Sequence, residues 1–223
     1  MRKISDVRFV KNKIHDEKNS CKSSRQEKRH TKKLIFIRHG QTQGNAEGRY
    51  LGKTDEPLCP EGIEYIKKKV RERGYPEAEI VWSSPMKRCL QTARLIYPDA
   101  DVRIEEDLRE CDFGKFEYKN YVEMSQDEEY RAWVNSGGTL PFPGGEDADD
   151  FRRRSREAFL RVVRQYEDDD VIAFAVHGGT MMSVFSKFEE PPSGYFDRQP
   201  ENGCGYICEF DKAAEKLTVL QEI

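Results

Sequence analysis

No apolar run in the 223 residues approaches the roughly 20 that cross a bilayer, and residues 1–33 lack the apolar centre of a secretory signal. Those absences predict a cytoplasmic chain with no membrane partner. Cysteine pairing is missing too: the six cysteines, at positions 21, 59, 89, 111, 204 and 208, form no CxxC pair. Cys204 and Cys208 have no His or Cys partners spaced as a zinc site requires. The expectation is free thiols, no metal and no cofactor. Asp112-Phe113-Gly114 spells a kinase triplet, yet no glycine-rich nucleotide loop, HRD triplet or VAIK-like lysine accompanies it, so chance accounts for it. No internal repeat is visible.

Charge is unevenly placed. Residues 1–33 carry twelve Lys and Arg against four Asp and Glu, whereas the remainder carries 26 against 37, so a tail near +8 precedes a body near −11. The tail has one Phe, no Trp or Tyr and no periodic apolar pattern, so residues 1–32 read as a disordered basic extension. No nucleic-acid partner is expected for it. The rest, residues 33–223, is long enough to bury one core without disulfides or metals.

What is present is ordered. Leu34 to Ile37 is a β-branched and aromatic run ending at Arg38-His39-Gly40, which reads as a buried strand meeting a loop. Cys59-Pro60-Glu61-Gly62, followed by Ile63, Ile66 and Val70, reads as a helix, and Glu79 to Trp82 as a second strand. Ser83-Ser84-Pro85 predicts a serine-capped helix with Pro in its first turn, carrying Met86, Leu90, Ala93 and Ile96 inward and placing Arg88 in that turn. Val102 to Ile104 is a short strand, and Tyr118 to Trp133 predicts short helices over the sheet edge. Gly137 to Gly145 cannot be regular and reads as a loop able to cover a site. Asp147 to Asp150 suits the start of the next helix, and Asp168 to Asp170 a solvated loop. Val171 to Val176 is apolar enough for a strand buried on both faces and stops at His177-Gly178-Gly179 before another helix. Tyr206 to Phe210 and Leu217 to Leu220 close the sheet. This βαβ order predicts an α/β fold.

Two apolar strands thus end in a histidine followed by glycine, and in open α/β sheets ligands sit at the carboxyl ends of strands. Of the four histidines, His39 and His177 are the two outside the tail, so both are expected to face one crevice. Arg38 and Arg88 supply guanidinium forks suited to phosphate oxygens. Gly40 and Gly178 allow close backbone approach, and the amides after each strand can donate to the same anion.

The segments LIFIRHGQTQGN (34–45), GRYLGKTDEPLCPEG (48–62), SSPMKRCLQTA (83–93), LRECDFGKFE (108–117), FPGGE (142–146) and VHGG (176–179) occur in the order found in the histidine phosphatase superfamily. From about residue 33 onward the chain resembles that phosphoglycerate mutase-like family, with wording similar to the bacterial branch that includes α-ribazole phosphatases. The resemblance implies a three-layer α/β/α fold with a mostly parallel central sheet. It implies a metal-independent phosphatase acting on a small phosphate monoester, with α-ribazole phosphate as one suggestion. His39 would be the phosphorylated nucleophile; Arg38, Arg88 and His177 would grip the phosphoryl oxygens; Asn45 would assist and Glu110 would donate the proton. An attacking imidazole must be neutral, and cations must meet the charge on the phosphoryl oxygens. Glu110 must be protonated to expel an alkoxide.

Cys59 stands where many relatives have a threonine helix cap, and Tyr118 where glycine commonly follows a Phe/Trp-Glu pair. No cysteine is followed six residues later by arginine, which excludes the thiolate-based phosphatase arrangement. Two other readings remain: a phosphoglycerate mutase, for which the interval from Glu110 to His177 is short, and a non-catalytic module that binds phosphorylated ligands, against which stands the filling of every catalytic position.

Overall fold

The structure, a computed structural model, describes residues 31–166 and 170–223. Its elements run β1 (Thr31–Arg38), α1 (Gln43–Ala46), α2 (Pro60–Arg71), β2 (Ile80–Ser83), α3 (Lys87–Ile96), β3 (Asp101–Ile104), α4 (Glu128–Asn135), α5 (Ala148–Val163), β4 (Ile172–Val176), α6 (Gly178–Phe188), β5 (Gly205–Asp211) and β6 (Lys216–Glu222), with short 3₁₀ turns at Glu106–Leu108 and Gly114–Phe116. One six-stranded sheet has the order β3-β2-β4-β1-β5-β6. β5 is antiparallel to both of its neighbours, β1 and β6, and the other pairings are parallel.

Side-chain alternation along β1 splits the core into two layers. Leu34 and Phe36 pack beneath Phe159, Val162 and Phe185 of α5 and α6, while Ile35 and Ile37 pack against Ile66 of α2 and Ala93 and Ile96 of α3. The expected α/β/α sandwich results. β4 lies between β2 and β1 with both faces covered, which is why Ile172 to Val176 are all apolar and all buried. Phe36 sits at the centre, its ring 5.0 Å from those of both Phe174 and Phe185. Truncating it to alanine would cost about 3–5 kcal/mol.

Register places the site. Arg38 lies opposite Val176 in the parallel β1–β4 pair, and Ser83 opposite Ala175 in the β2–β4 pair. The next residues, His39, His177 and Ser84, therefore emerge side by side from three strand ends. The His39 amide still bonds the Val176 carbonyl at 2.9 Å, and the Ser84 amide bonds that of Ala175 at 3.1 Å.

Several expectations need correction. Thr31 and Lys32 already pair with Asp211 and Phe210 of β5, so β1 begins before residue 33; residues 1–30, which hold most of the basic extension, lie outside the described residues. α3 starts at Lys87 with Met86 as a cap that makes no side-chain bond; the Ser84 hydroxyl, bonded to His177 at 2.7 Å, reaches only the Met86 amide at 3.4 Å, and Asp55 accepts from the Lys87 amide at 2.7 Å. Between Tyr118 and Trp133 only one helix forms, α4, and its Tyr130 and Trp133 rings meet Tyr50 and Phe116 rather than covering a strand edge. Asp147 caps α5 as its position suggested, accepting from Asp149 and Asp150 amides at 2.8 and 3.2 Å. Most of the Asp168–Asp170 run lies outside the described residues.

The two departures from the family wording have local explanations. Cys59 is the N-cap of α2, its sulfur accepting from the Gly62 amide at 3.3 Å, a weaker version of a hydroxyl cap. Tyr118 is held at φ 60°, a left-handed conformation that suits glycine. Its hydroxyl donates to Glu56 at 3.1 Å and the Arg49 guanidinium lies 5.1 Å over its ring, offsetting a backbone cost of about 1 kcal/mol.

Candidate active site

His39 leaves β1 almost fully buried, 3% exposed. Its Nδ1 lies 2.8 Å from the Gly40 carbonyl, and since a carbonyl can only accept, Nδ1 carries the proton. Nε2 is then left with its lone pair. Burial, reinforced by the Arg88 and Arg38 cations, holds the His39 pKa well below the usual 6.5, so the ring is neutral at physiological pH. Asn202 fixes the backbone beneath it by donating to the His39 carbonyl at 3.1 Å.

His177 is wholly buried and meets His39 edge to face, ring centroids 5.2 Å apart. Its Nε2 bonds the Ser84 hydroxyl at 2.7 Å, and Cys89 Sγ lies 3.5 Å from the same nitrogen. Burial, then Arg88 and His39, depress its pKa well below 6.5. Arg88 is also wholly buried, held by the carbonyls of Thr54 at 2.8 Å and Gly52 at 2.9 Å. Both residues lie in the layer beneath the cleft rather than on its wall. The two histidines lie side by side as expected, but only His39 faces the cleft; His177 sits beneath it, with Arg88 acting on both rings from below.

Arg38, Asn45 and Gly178 do line the cleft, together with His39 and Glu110. Arg38 gives one donor to the Pro200 carbonyl at 2.8 Å, and its Nε is buried without a partner. Asn45 Oδ1 accepts from Thr42 Oγ1 at 3.1 Å and Asn202 Nδ2 at 3.2 Å, which orients its amide nitrogen as a free donor. The backbone-amide expectation is corrected: the Gly40 amide is spent on Thr92 Oγ1 at 2.9 Å, and the Gly179 amide on Glu110. A Cβ on Gly178 would make only ordinary contacts, whereas one on Gly179 would stand 2.3 Å from Glu110 Oε1. Gly179, not Gly178, is the glycine whose missing side chain the site requires.

Glu110 follows the first 3₁₀ turn and accepts two backbone bonds, from Cys111 at 3.0 Å and Gly179 at 3.1 Å. Burial nevertheless pushes its pKa up from the ordinary 4.5, against those amides and the Arg88 and Arg38 cations. Its main chain is clasped by Arg154 of α5, which donates to the carbonyls of Asp107, Arg109 and Glu110 and to both oxygens of Glu146. Arg154, Ser84, Asn202 and Gly179 were missed by sequence reasoning, since each acts through partners distant in the chain. The GGE segment before α5 was the one available signal, for Arg154.

The cleft, about 440 Å³, is open above His39. Its inner wall is an interlocked aromatic group: Tyr50 meets Phe113 and Trp133 edge to face at 5.4 and 6.1 Å, and Phe142 of the glycine-rich loop lies 4.9 Å from Phe113. That loop forms part of the wall, through Gly138 and Phe142. Among the described residues no three His, Cys, Asp or Glu side chains are grouped as a metal ion would require, and no helix is long and apolar enough to cross a membrane.

The likeness to known proteins extends over the same residues. An adenosylcobalamin/alpha-ribazole phosphatase of Escherichia coli is 27% identical over 193 residues, 84% of this chain and 95% of that protein. A metal-independent phosphoserine phosphatase of Arabidopsis thaliana is 28% identical over 167 residues, 72% of this chain and 70% of that one. The crystal structure of the alpha-ribazole phosphatase from Shigella flexneri matches with a TM-score of 0.72 at 25% identity, covering 84% of this chain and 94% of that chain. The model of the histidine phosphatase superfamily (branch 1) matches residues 34–223. With its parallel strand ends bearing paired histidines and a family match over that span, the chain belongs to the histidine phosphatase superfamily, branch 1.

Proposed function

We propose that this phosphoric monoester hydrolase transfers the phosphoryl group of a small monoester to Nε2 of His39 and then to water, with no metal ion. The observation that carries this reading is the His39 imidazole itself: neutral, its proton fixed on Nδ1 by the Gly40 carbonyl, at the floor of a cleft shared with Arg38 and Glu110. In the first step Nε2 attacks phosphorus while the bond to the leaving oxygen breaks, and protonated Glu110 gives that oxygen its proton. In the second, Glu110 takes a proton from water as the water oxygen attacks the phosphohistidine, releasing inorganic phosphate and restoring the acid.

Arg38 meets the phosphoryl oxygens directly, its unpartnered Nε gaining an acceptor, and Asn45, which lines the same cleft, donates from its amide nitrogen. Arg88 and His177 act from beneath: the buried guanidinium stabilises the phosphoryl charge across a short low-dielectric path, and His177 holds the His39 ring at its edge. Arrival of a phosphate dianion raises the proton affinity of Glu110 and of His177, favouring the states that the transition state needs.

The relatives named as acting on alpha-ribazole phosphate make that compound the first substrate to test. A reducing compartment such as the cytoplasm suits the five described cysteines, all free thiols. The test is release of inorganic phosphate, with chelator present, from a panel of p-nitrophenyl phosphate, alpha-ribazole phosphate, phosphoserine and phosphoglycerates. Turnover that is insensitive to chelator and abolished in His39→Ala is expected. Rapid interconversion of phosphoglycerates dependent on a bisphosphate would instead establish the mutase reading.

A further inference from the structure

Beyond the phosphoryl-binding floor, the cleft is built of rings. Tyr50, Phe113, Trp133 and Phe142 form its inner wall, Phe151 and Met182 continue it, and among the described residues Glu110 is the only carboxylate that lines it. At the mouth the pattern changes from locked to bare: Tyr121 and Phe196 line the same cleft while 68% and 65% exposed. Phe196 is held edge to face against Tyr195 at 5.1 Å, and the Arg152 guanidinium stacks 4.5 Å over the other ring, extending a flat wall. Large rings left in water at the mouth of a cleft mark a surface that a bound molecule covers.

Resting on the phosphatase reading above, we infer that the substrate is the phosphate monoester of an alcohol bearing a flat aromatic group, which seats along this wall and covers Tyr121 and Phe196. The chemistry of the alternatives argues the same way. The ammonium of phosphoserine needs a carboxylate partner, and Glu110 is already committed to two amides and the leaving-group proton. Glycerol phosphate has no ring to cover this wall, and beyond Asn45, Gln199 and the tyrosine hydroxyls the uncharged lining among the described residues is chiefly aromatic and aliphatic. Tyr121 and Phe196 are thereby specificity-determining residues, away from the reacting atoms.

The experiment compares kcat/KM for 2-naphthylmethyl phosphate, benzyl phosphate, phosphoserine and glycerol phosphate. All four leave as alkoxides, so the demand on the proton donor is similar and differences report recognition. Covering about 100 Å² of apolar surface predicts a preference of roughly 50-fold for the naphthylmethyl ester over glycerol phosphate. In Tyr121→Ala/Phe196→Ala that preference should fall about tenfold, with glycerol phosphate turnover unchanged. Equal or faster turnover of phosphoserine or glycerol phosphate, or equal losses on all substrates in the double variant, would overturn the inference and leave the phosphatase standing. Silence on all four and on p-nitrophenyl phosphate would remove the phosphatase reading itself.

Discussion

Gly179→Ala is a single methyl group placed against the proton donor. The added Cβ would stand 2.3 Å from Glu110 Oε1 and 3.0 Å from Phe151 Cζ, the first distance far inside van der Waals contact. Oε1 is the oxygen that accepts from the Cys111 amide at 3.0 Å and Oε2 the one that accepts from the Gly179 amide at 3.1 Å, so with its main chain held by Arg154 the Glu110 carboxyl can retreat only by giving up one or both of these bonds. The carboxyl then moves off the leaving oxygen. General acid catalysis is worth roughly 10²–10⁴-fold, so kcat/KM for an alkyl phosphate should fall at least about 100-fold. A p-nitrophenolate leaves without a proton, and kcat/KM for its ester should fall less than about tenfold. kcat/KM is the quantity to compare, since it reports the steps through phosphoryl transfer to the enzyme and not the later hydrolysis. Overpacking should cost about 1–3 kcal/mol of stability, partly offset by the better helix propensity of alanine, which urea denaturation would register. Equal losses on both esters, or full alkyl activity, would refute the placement of Glu110 as proton donor.

Cys59→Thr should raise stability by about 0.5–1 kcal/mol in urea melts, because a hydroxyl replaces sulfur as acceptor for the Gly62 amide; a decrease would mean the thiol packs better than it caps. Arg154→Met leaves Glu146 and three carbonyls without their donor and should cost about 2–4 kcal/mol together with a disproportionate loss on alkyl esters. Equal losses on alkyl and aryl esters would leave it a purely structural clasp. The pH dependence of kcat/KM follows from the two shifted groups. His39, its pKa depressed, is already neutral below 6.5, so its acid limb lies at low pH; Glu110, its pKa raised above 4.5, loses its proton as pH rises, giving an alkaline limb with alkyl esters. That limb should vanish in Glu110→Gln.

The legible parts of this chain were those where one segment carries its own constraint. β1 and β4 were readable because a strand covered on both faces is apolar through its buried length, and the histidines at their ends because each stands where the apolar run stops at a glycine. The family wording then implied roles for Asn45 and Glu110 that no local pattern contains, and added to the phosphate-binding reading of Arg38 and Arg88. What remained hidden depends on pairings across the chain. Ser84 looked like a helix cap, yet its hydroxyl serves a histidine 93 positions away; Arg154 looked like one basic residue among several on α5, yet it holds the Glu110 backbone 44 positions away. Of the acidic, aromatic stretch from Tyr118 to Trp133 only the part from Glu128 onward is helical, and its Tyr121 and Trp133 line the cleft rather than cover a strand.

The central claim is the covalent intermediate, and Glu110→Gln gives the means to see it. With p-nitrophenyl phosphate this variant can still phosphorylate itself, while the water step lacks its base, so phosphoenzyme should accumulate. An alkaline quench followed by peptide mapping should find one phosphoryl group per chain, stable to alkali, labile to acid and located on His39. Continued phosphate release with no labelled histidine, or an acid-stable label on another side chain, would contradict the account.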